Sequence, residues 1–188
     1  TDVLSRLGGG ALGVYVGDHR GRFELQPPLP GYEVNGLIHA YRDRLPDLLV
    51  WTGGGTGFGV VPNLGGGRYG EVRPLTGIAP GGLRWPFQAT DLDGDRLDEI
   101  LAFRLDALGV YSLVVFENQG DCLMREVASV SLPIFEDRWQ ADRYANLVEV
   151  RPNSRGRGAD ILVLFGNSLG LSLADIAIVR RDSDGQFA

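Results

Sequence analysis

Four segments of this chain repeat one pattern. An acidic residue opens a short apolar run, a turn follows, then a second apolar run and a Gly-containing turn, closed in three of the four by an aromatic residue. The first is Asp2-Val3-Leu4, Gly8-Gly9-Gly10, Leu12-Gly13-Val14-Tyr15-Val16, then Gly21-Arg22-Phe23. The second is Asp47-Leu48-Leu49-Val50-Trp51, Gly53-Gly54-Gly55, Phe58-Gly59-Val60-Val61, then Gly66-Gly67-Arg68-Tyr69. The third is Glu99-Ile100-Leu101-Ala102-Phe103, Ser112-Leu113-Val114-Val115-Phe116, then Asn118-Gln119-Gly120-Asp121. The fourth is Asp160-Ile161-Leu162-Val163-Leu164-Phe165, Ile176-Ala177-Ile178-Val179, then Asp184-Gly185-Gln186-Phe187. The opening acids stand 45, 52 and 61 residues apart. Weaker strands such as 33–38 and 126–130 fill the remainders. Three to four strands per roughly 50 residues is the content of one propeller blade. The expected fold is therefore all-β. It is a β-propeller of about four units of three to four antiparallel strands, closed by itself or part of a larger ring. One repeat domain is expected over 1–188, with units at about 2–46, 47–98, 99–159 and 160–188. The stretch 141–148 is the one place expected to hold a helical turn.

The most chemically pointed stretch leads into the third unit: Asp91-Leu92-Asp93-Gly94-Asp95-Arg96-Leu97-Asp98-Glu99. Acids fall at positions one, three, five and nine of a nine-residue loop. Ca²⁺ takes six to eight oxygen ligands, and a short curled loop supplies several of them. Without a cation these charges repel at close range. An EF-hand wants Gly at position six, Glu at position twelve and helical flanks. Here those positions hold Arg96 and Ala102, between strands. The expected ligands are the side chains of Asp91, Asp93, Asp95 and Glu99 and the carbonyl of Leu97, with Asp98 in reserve. The competing reading is an Asp/Gly turn without metal. The loop before Asp47, His39-Ala40-Tyr41-Arg42-Asp43-Arg44-Leu45-Pro46, keeps only Asp43 and Asp47, so metal is not expected there. The segment before Asp160 has no carboxylate and carries Arg155 and Arg157, which with Arg151 read as a solvated loop or an anion contact.

The nine-residue loop running into Asp-Glu-Ile-Leu or Asp-Leu-Leu-Val resembles the calcium loops of the FG-GAP and VCBS repeat family. Arg96 stands where that family usually has Gly. Residues 45–50 and 57–70 are also similar to the propeller repeats beside Rhs regions in insecticidal-toxin and secreted polymorphic-toxin proteins. The resemblance implies a β-propeller on a secreted, periplasmic or surface protein, used for binding or scaffolding.

Composition narrows the function classes. Net charge is −6, which argues against a nucleic-acid surface. The 28 glycines cluster between apolar runs, as turns of many short strands do. The one cysteine, Cys122, cannot form an internal disulfide and reads as a small semi-buried side chain. No apolar run is long enough to cross a bilayer as a helix. His19 and His39 have no catalytic partner by spacing, and no nucleophile elbow or zinc-protease motif occurs. Gly65-Gly66-Gly67-Arg68-Tyr69-Gly70 has the spacing of a dinucleotide loop but opens no helix, so a hairpin turn is expected.

The first functional reading is thus a non-catalytic, calcium-stabilised module making contacts with other protein subunits outside the cytoplasm. The alternatives are a carbohydrate-binding propeller and a propeller-based lyase or hydrolase. Trp51 is expected in the core. Trp85 and Trp139 are expected in loops, as the candidate ligand-binding aromatics, with Tyr32 beside them in the lectin reading.

Overall fold

The computed structural model describes the chain except residues 1, 7–11, 19, 27–28, 30–31, 53–56, 79–82, 108–109, 133–142, 153–158, 168–172, 181–186 and 188. For 2–6, 12, 84–86, 143–152, 159–160, 162–167, 173–177 and 180 it describes only the backbone. His19, Trp139 and the turns around Gly8 and Gly54 lie outside the described residues.

The described residues form sixteen strands and no helix. They build four antiparallel sheets and a two-stranded ribbon. The first sheet is β1 (Asp2–Arg6), β2 (Leu12–Gly17) and β3 (Phe23–Leu25). The second joins β4 (Glu33–Ile38), β5 (Asp47–Trp51), β6 (Phe58–Val61) and β9 (Arg73–Pro74), with the ribbon β7 (Asn63–Gly65) and β8 (Arg68–Tyr69) between β6 and β9 in sequence. The third is β10 (Leu83–Thr90), β11 (Glu99–Leu105), β12 (Tyr111–Asn118) and β13 (Met124–Ser131). The fourth is β14 (Arg143–Pro152), β15 (Ala159–Asn167) and β16 (Leu173–Arg180). In all four, strands adjacent in sequence are adjacent in space. The helical turn expected at 141–148 is not formed over its described part: 143–152 is a strand, fixed by its ladder with β15.

Burial explains which strands the sequence shows clearly. The middle strands are covered on both faces, so they read as unbroken apolar runs. Residues 47–50, 58–61 and 99–103 are all buried. The outer strand β13 is half-solvated and alternates in composition. The ribbon β7–β8 turns through Gly66 and Gly67 at φ 61° and 74°, the hairpin geometry that glycine adopts freely.

The chain divides into two compact units: 1–76 with 119–123, and 77–118 with 124–188. In the first, Leu48, Val50 and Val61 form a core that Tyr32, Val34 and Tyr69 pack against. In the second, Leu101, Phe103, Leu113 and Val115 of the third sheet share a core with Ile161 and Val179 of the fourth.

The first strands of the second, third and fourth sheets bulge at one register position. Asn35 is extra between Val34 and Gly36, and Val148 between Leu147 and Glu149. Between Arg84 and Gln88, residues 85–87 stand opposite Ala102. Each bulge follows three regular pairs counted from the acid that opens the next strand. Bulges bend a strand and re-aim its side chains. They also tolerate proline, which accounts for Pro86 within β10.

Two glycines are fixed by close approach. A Cβ on Gly59 would lie 2.7 Å from Val72 Cγ2 and 3.1 Å from the Arg73 carbonyl oxygen. One on Gly77, at φ 82°, would lie 1.8 Å from the Met124 carbonyl oxygen. Gly77→Ala is expected to lower stability by more than about 2 kcal/mol in urea unfolding, because both the backbone angle and the space forbid the methyl. A variant as stable as the parent would show that 77 and 124 are not packed this way.

Candidate functional site: the acidic loop and its counterpart

The acidic loop joins β10 to β11 within one sheet. Its apolar members anchor it: Leu92 is buried in the core of the second unit, and Leu97 is buried too. The peptide between them is wound by its own carboxylates. Asp91 Oδ1 accepts the Gly94 N–H at 2.7 Å, and Asp91 Oδ2 accepts the Arg96 N–H at 3.1 Å. Asp93 Oδ1 accepts from the Asp95 N–H at 3.0 Å, and Asp95 Oδ1 from the Leu97 N–H at 2.8 Å. At position nine, Glu99 is buried and its Oε2 accepts the Leu92 N–H at 2.6 Å. Arg96 has φ 77°, the left-handed angle that Gly takes without penalty.

Of the expected metal ligands, the structure brings Asp91, Asp93 and Glu99 together, with one oxygen of each within 4.8 Å of the others. Ligands at 2.3–2.6 Å from a shared Ca²⁺ lie at most about 5 Å apart, so the spacing and the all-oxygen donor set fit that ion. Asp95 is outside this cluster, with one oxygen engaged by Leu97. Asp98 is buried, and its carbonyl oxygen accepts from Asn118 Nδ2 at 3.3 Å. The Glu99 carboxyl is pushed up to about 7, first by burial and further by Asp93, Asp91 and Asp95, against the pull of the Leu92 N–H.

The loop before Asp47 repeats several of these backbone bonds and keeps two of the acids, Asp43 and Asp47. Asp47, at position nine, is buried and accepts the N–H of Ala40, at position two, at 3.1 Å. Its other oxygen accepts the Asn63 N–H at 2.8 Å. Asp43 accepts the N–H of Leu45 at 3.0 Å, as Asp95 does from Leu97. Arg44, at position six, has φ 66°. Asn63 Nδ2 donates to the Pro46 carbonyl at 3.0 Å, as Asn118 does to Asp98. Where the acidic loop has Asp93, this one has Tyr41. Its hydroxyl lies 3.0 Å from Cys122 Sγ, and Arg73 sits over its ring, 5.6 Å from the centroid. Burial and the Cys122 contact raise the Tyr41 pKa to about 12. A side-chain cluster thus occupies the position that a carboxylate takes in the other loop. His39 favours the ionised form of Asp47, but both Asp47 oxygens are bound to backbone amides, a structural role.

Asn63 and Asn118 were not singled out by the sequence pattern. The signal was there: each follows the apolar end of a third strand by two residues and precedes a Gly turn. Trp85 lies in strand β10, at the register break, and not in a loop. Trp51, expected in the core, is 36% exposed and stands edge-on to Phe58 at 4.9 Å. Tyr32 packs on the core of the first unit.

No protein-family model and no curated protein matches the chain. Among solved structures it is similar to a lectin of Agrocybe aegerita described as recognising non-reducing terminal N-acetylglucosamine, with a TM-score of 0.54 and 17% identity. The match covers 94% of this chain and 48% of the lectin, so the chain spans about half that protein's length. At this identity the likeness speaks to the fold: an all-β chain of successive antiparallel sheets.

Glu99 gives the loop a pH signature. The folded state keeps this proton above the ordinary glutamate value of 4.5, up to about 7. Its contribution to stability is complete below pH 4.5 and is lost as pH rises through 7. In chelator, Tm is expected to fall across that window, and Glu99→Gln to reduce the fall, leaving the part due to Asp47, which burial raises in the same sense. A slope unchanged in Glu99→Gln would contradict this.

Proposed function

We propose that this chain is a non-catalytic carbohydrate-binding module, built of β-propeller blades and braced by Ca²⁺ in the Asp91–Glu99 loop. The observation that carries the reading is the fold likeness to a lectin over 94% of the chain. The shared plan of successive sheets and the two matched nine-residue loops support the propeller part. Ca²⁺ would be held by Asp91, Asp93 and Glu99, with Asp95 and the Leu97 carbonyl as further donors; bound, it neutralises crowded charge and stiffens the β10–β11 connection. That chemistry suits an extracytoplasmic setting, where weak calcium sites fill. The resemblance to FG-GAP and VCBS repeats agrees with the same setting. For the sugar, exposed Trp51 offers an apolar face against which a pyranose ring can stack. A second reading, contact with other protein subunits, is favoured by β3, an edge strand with Phe23 51% and Leu25 47% exposed.

A glycan array that includes terminal N-acetylglucosamine separates the two. Saturable binding of any saccharide, weakened by Trp51→Ala, supports the lectin reading. An array without binders, together with a defined protein complex lost on Phe23→Asp, supports the second. Calcium at a hundred times its Kd is expected to add about 2.7 kcal/mol of stability. Chelator should remove that increment, and Asp93→Asn should abolish it while leaving the calcium-free Tm close to the parent's. A Tm indifferent to calcium would leave the loop a turn and nothing more.

A further inference from the structure

Position six of the nine-residue loops is arginine each time. Arg44 and Arg96 adopt φ 66° and 77°. For an L-residue that conformation is unfavourable, and glycine avoids the penalty. Both side chains are exposed, so core packing does not explain them. Among the described residues neither guanidinium has a hydrogen-bond or ion-pair partner. Three arginines elsewhere are engaged, Arg104 with Glu126, Arg125 with Glu117 and Arg73 over Tyr41, while Arg20 and Arg22, among the described residues, bond only through their backbone groups. The two remaining non-glycine residues at positive φ, Asp121 and Cys122, have local reasons, since Asp tolerates that angle and Cys122 is buried against Tyr41.

The acids of the loop do not explain the arginine. Arg96 has Asp91 and Asp93 in its loop, but the same positions beside Arg44 hold His39 and Tyr41. The fourth sheet keeps the same register: Arg151 pairs Asp160 as Thr90 pairs Glu99 and Ile38 pairs Asp47. Position six of that loop is Arg157, outside the described residues. So two described loops of different chemistry carry one exposed cation at the same position, and the sequence places an arginine there in the third. The guanidinium fork matches carboxylate and sulfate oxygens, two hydrogen bonds at a time. A chain of net charge −6 has no bulk attraction for anions, so capture falls to such local groups.

We propose that Arg44 and Arg96 are recognition residues for the carboxylate or sulfate groups of an anionic glycan, an inference that rests on the carbohydrate-binding reading above. The test is calorimetric titration of the whole chain, with calcium present, using a hyaluronan oligosaccharide, a dextran sulfate oligosaccharide and neutral chitotetraose. At least one anionic probe is expected to bind saturably and to weaken as salt rises. The preferred probe assigns carboxylate or sulfate. Arg44→Gly and Arg96→Gly should each lower the affinity at the substituted loop about tenfold, the loss of one charge-assisted contact. Their Tm should be no lower than the parent's, because glycine accepts the backbone angle. Arg20→Ala, at an exposed turn elsewhere, should change nothing. Should the glycine variants melt low, Arg44→Asn and Arg96→Asn keep a residue tolerant of positive φ without the charge. Anionic binding at parental affinity in the folded double variant, Arg44→Gly with Arg96→Gly, overturns the proposal. So does chitotetraose binding as tightly as the anionic probes, a result that leaves the lectin reading standing. Binding of no oligosaccharide overturns both.

Discussion

A buried carboxylate at the head of a central strand organises the described part of this protein. Asp47 and Glu99 each reach back to the N–H seven residues earlier, at Ala40 and Leu92. That one bond sets the size of the loop and the register of the strands on either side, Ile38 against Asp47 and Thr90 against Glu99. Removing the acceptor would leave a buried donor unsatisfied, a loss larger than the bond's own net worth. Burial also penalises the charge and raises both carboxyls. The arrangement persists because backbone amides offset part of that penalty, two at Asp47 and one at Glu99.

Given this closure, the rest of each loop is free to vary. The acidic loop winds on Asp91 and Asp93, whose charges crowd Glu99. The loop before Asp47 gives up both acids and docks Tyr41 on Cys122 beneath Arg73. Two loops with a common closure are thus filled in two ways, by a carboxylate cluster and by a side-chain contact. The asparagine lock from the third strand is common to both, since it holds the carbonyl of position eight whatever the other positions carry.

The central strands were legible in the sequence because they are buried on both faces, so nothing polar interrupts Leu48-Leu49-Val50 or Ile100-Leu101-Ala102-Phe103. The first strands were not. Their bulges break the alternation that identifies a strand, and Pro86 speaks against one outright, so the local sequence around Trp85 reads as a loop. In β14, Ala145, Asn146, Leu147 and Glu149 suit a helical turn locally, yet pairing with β15 decides their conformation. The acidic loop was legible because its carboxylates are local in sequence. The Tyr41–Cys122 contact was not: it joins residues 81 positions apart that share no pattern. Trp51 was misplaced for a related reason. It ends a buried strand, but the burial stops one residue short of the strand's end, and Trp51 is exposed with its ring edge-on to Phe58.

Divergence around a fixed closure has a functional consequence. A repeat protein whose loops keep one backbone can change what each loop presents without refolding the sheet beneath it. Here position nine is constrained by burial, and positions one and three have drifted between carboxylates and a His/Tyr pair. The side chain at position six is exposed, and the backbone angle there favours glycine and is tolerated by asparagine and aspartate. Arginine at 44 and 96, at a backbone angle that glycine takes more easily, is the feature the proposed anion contact accounts for and the fold does not.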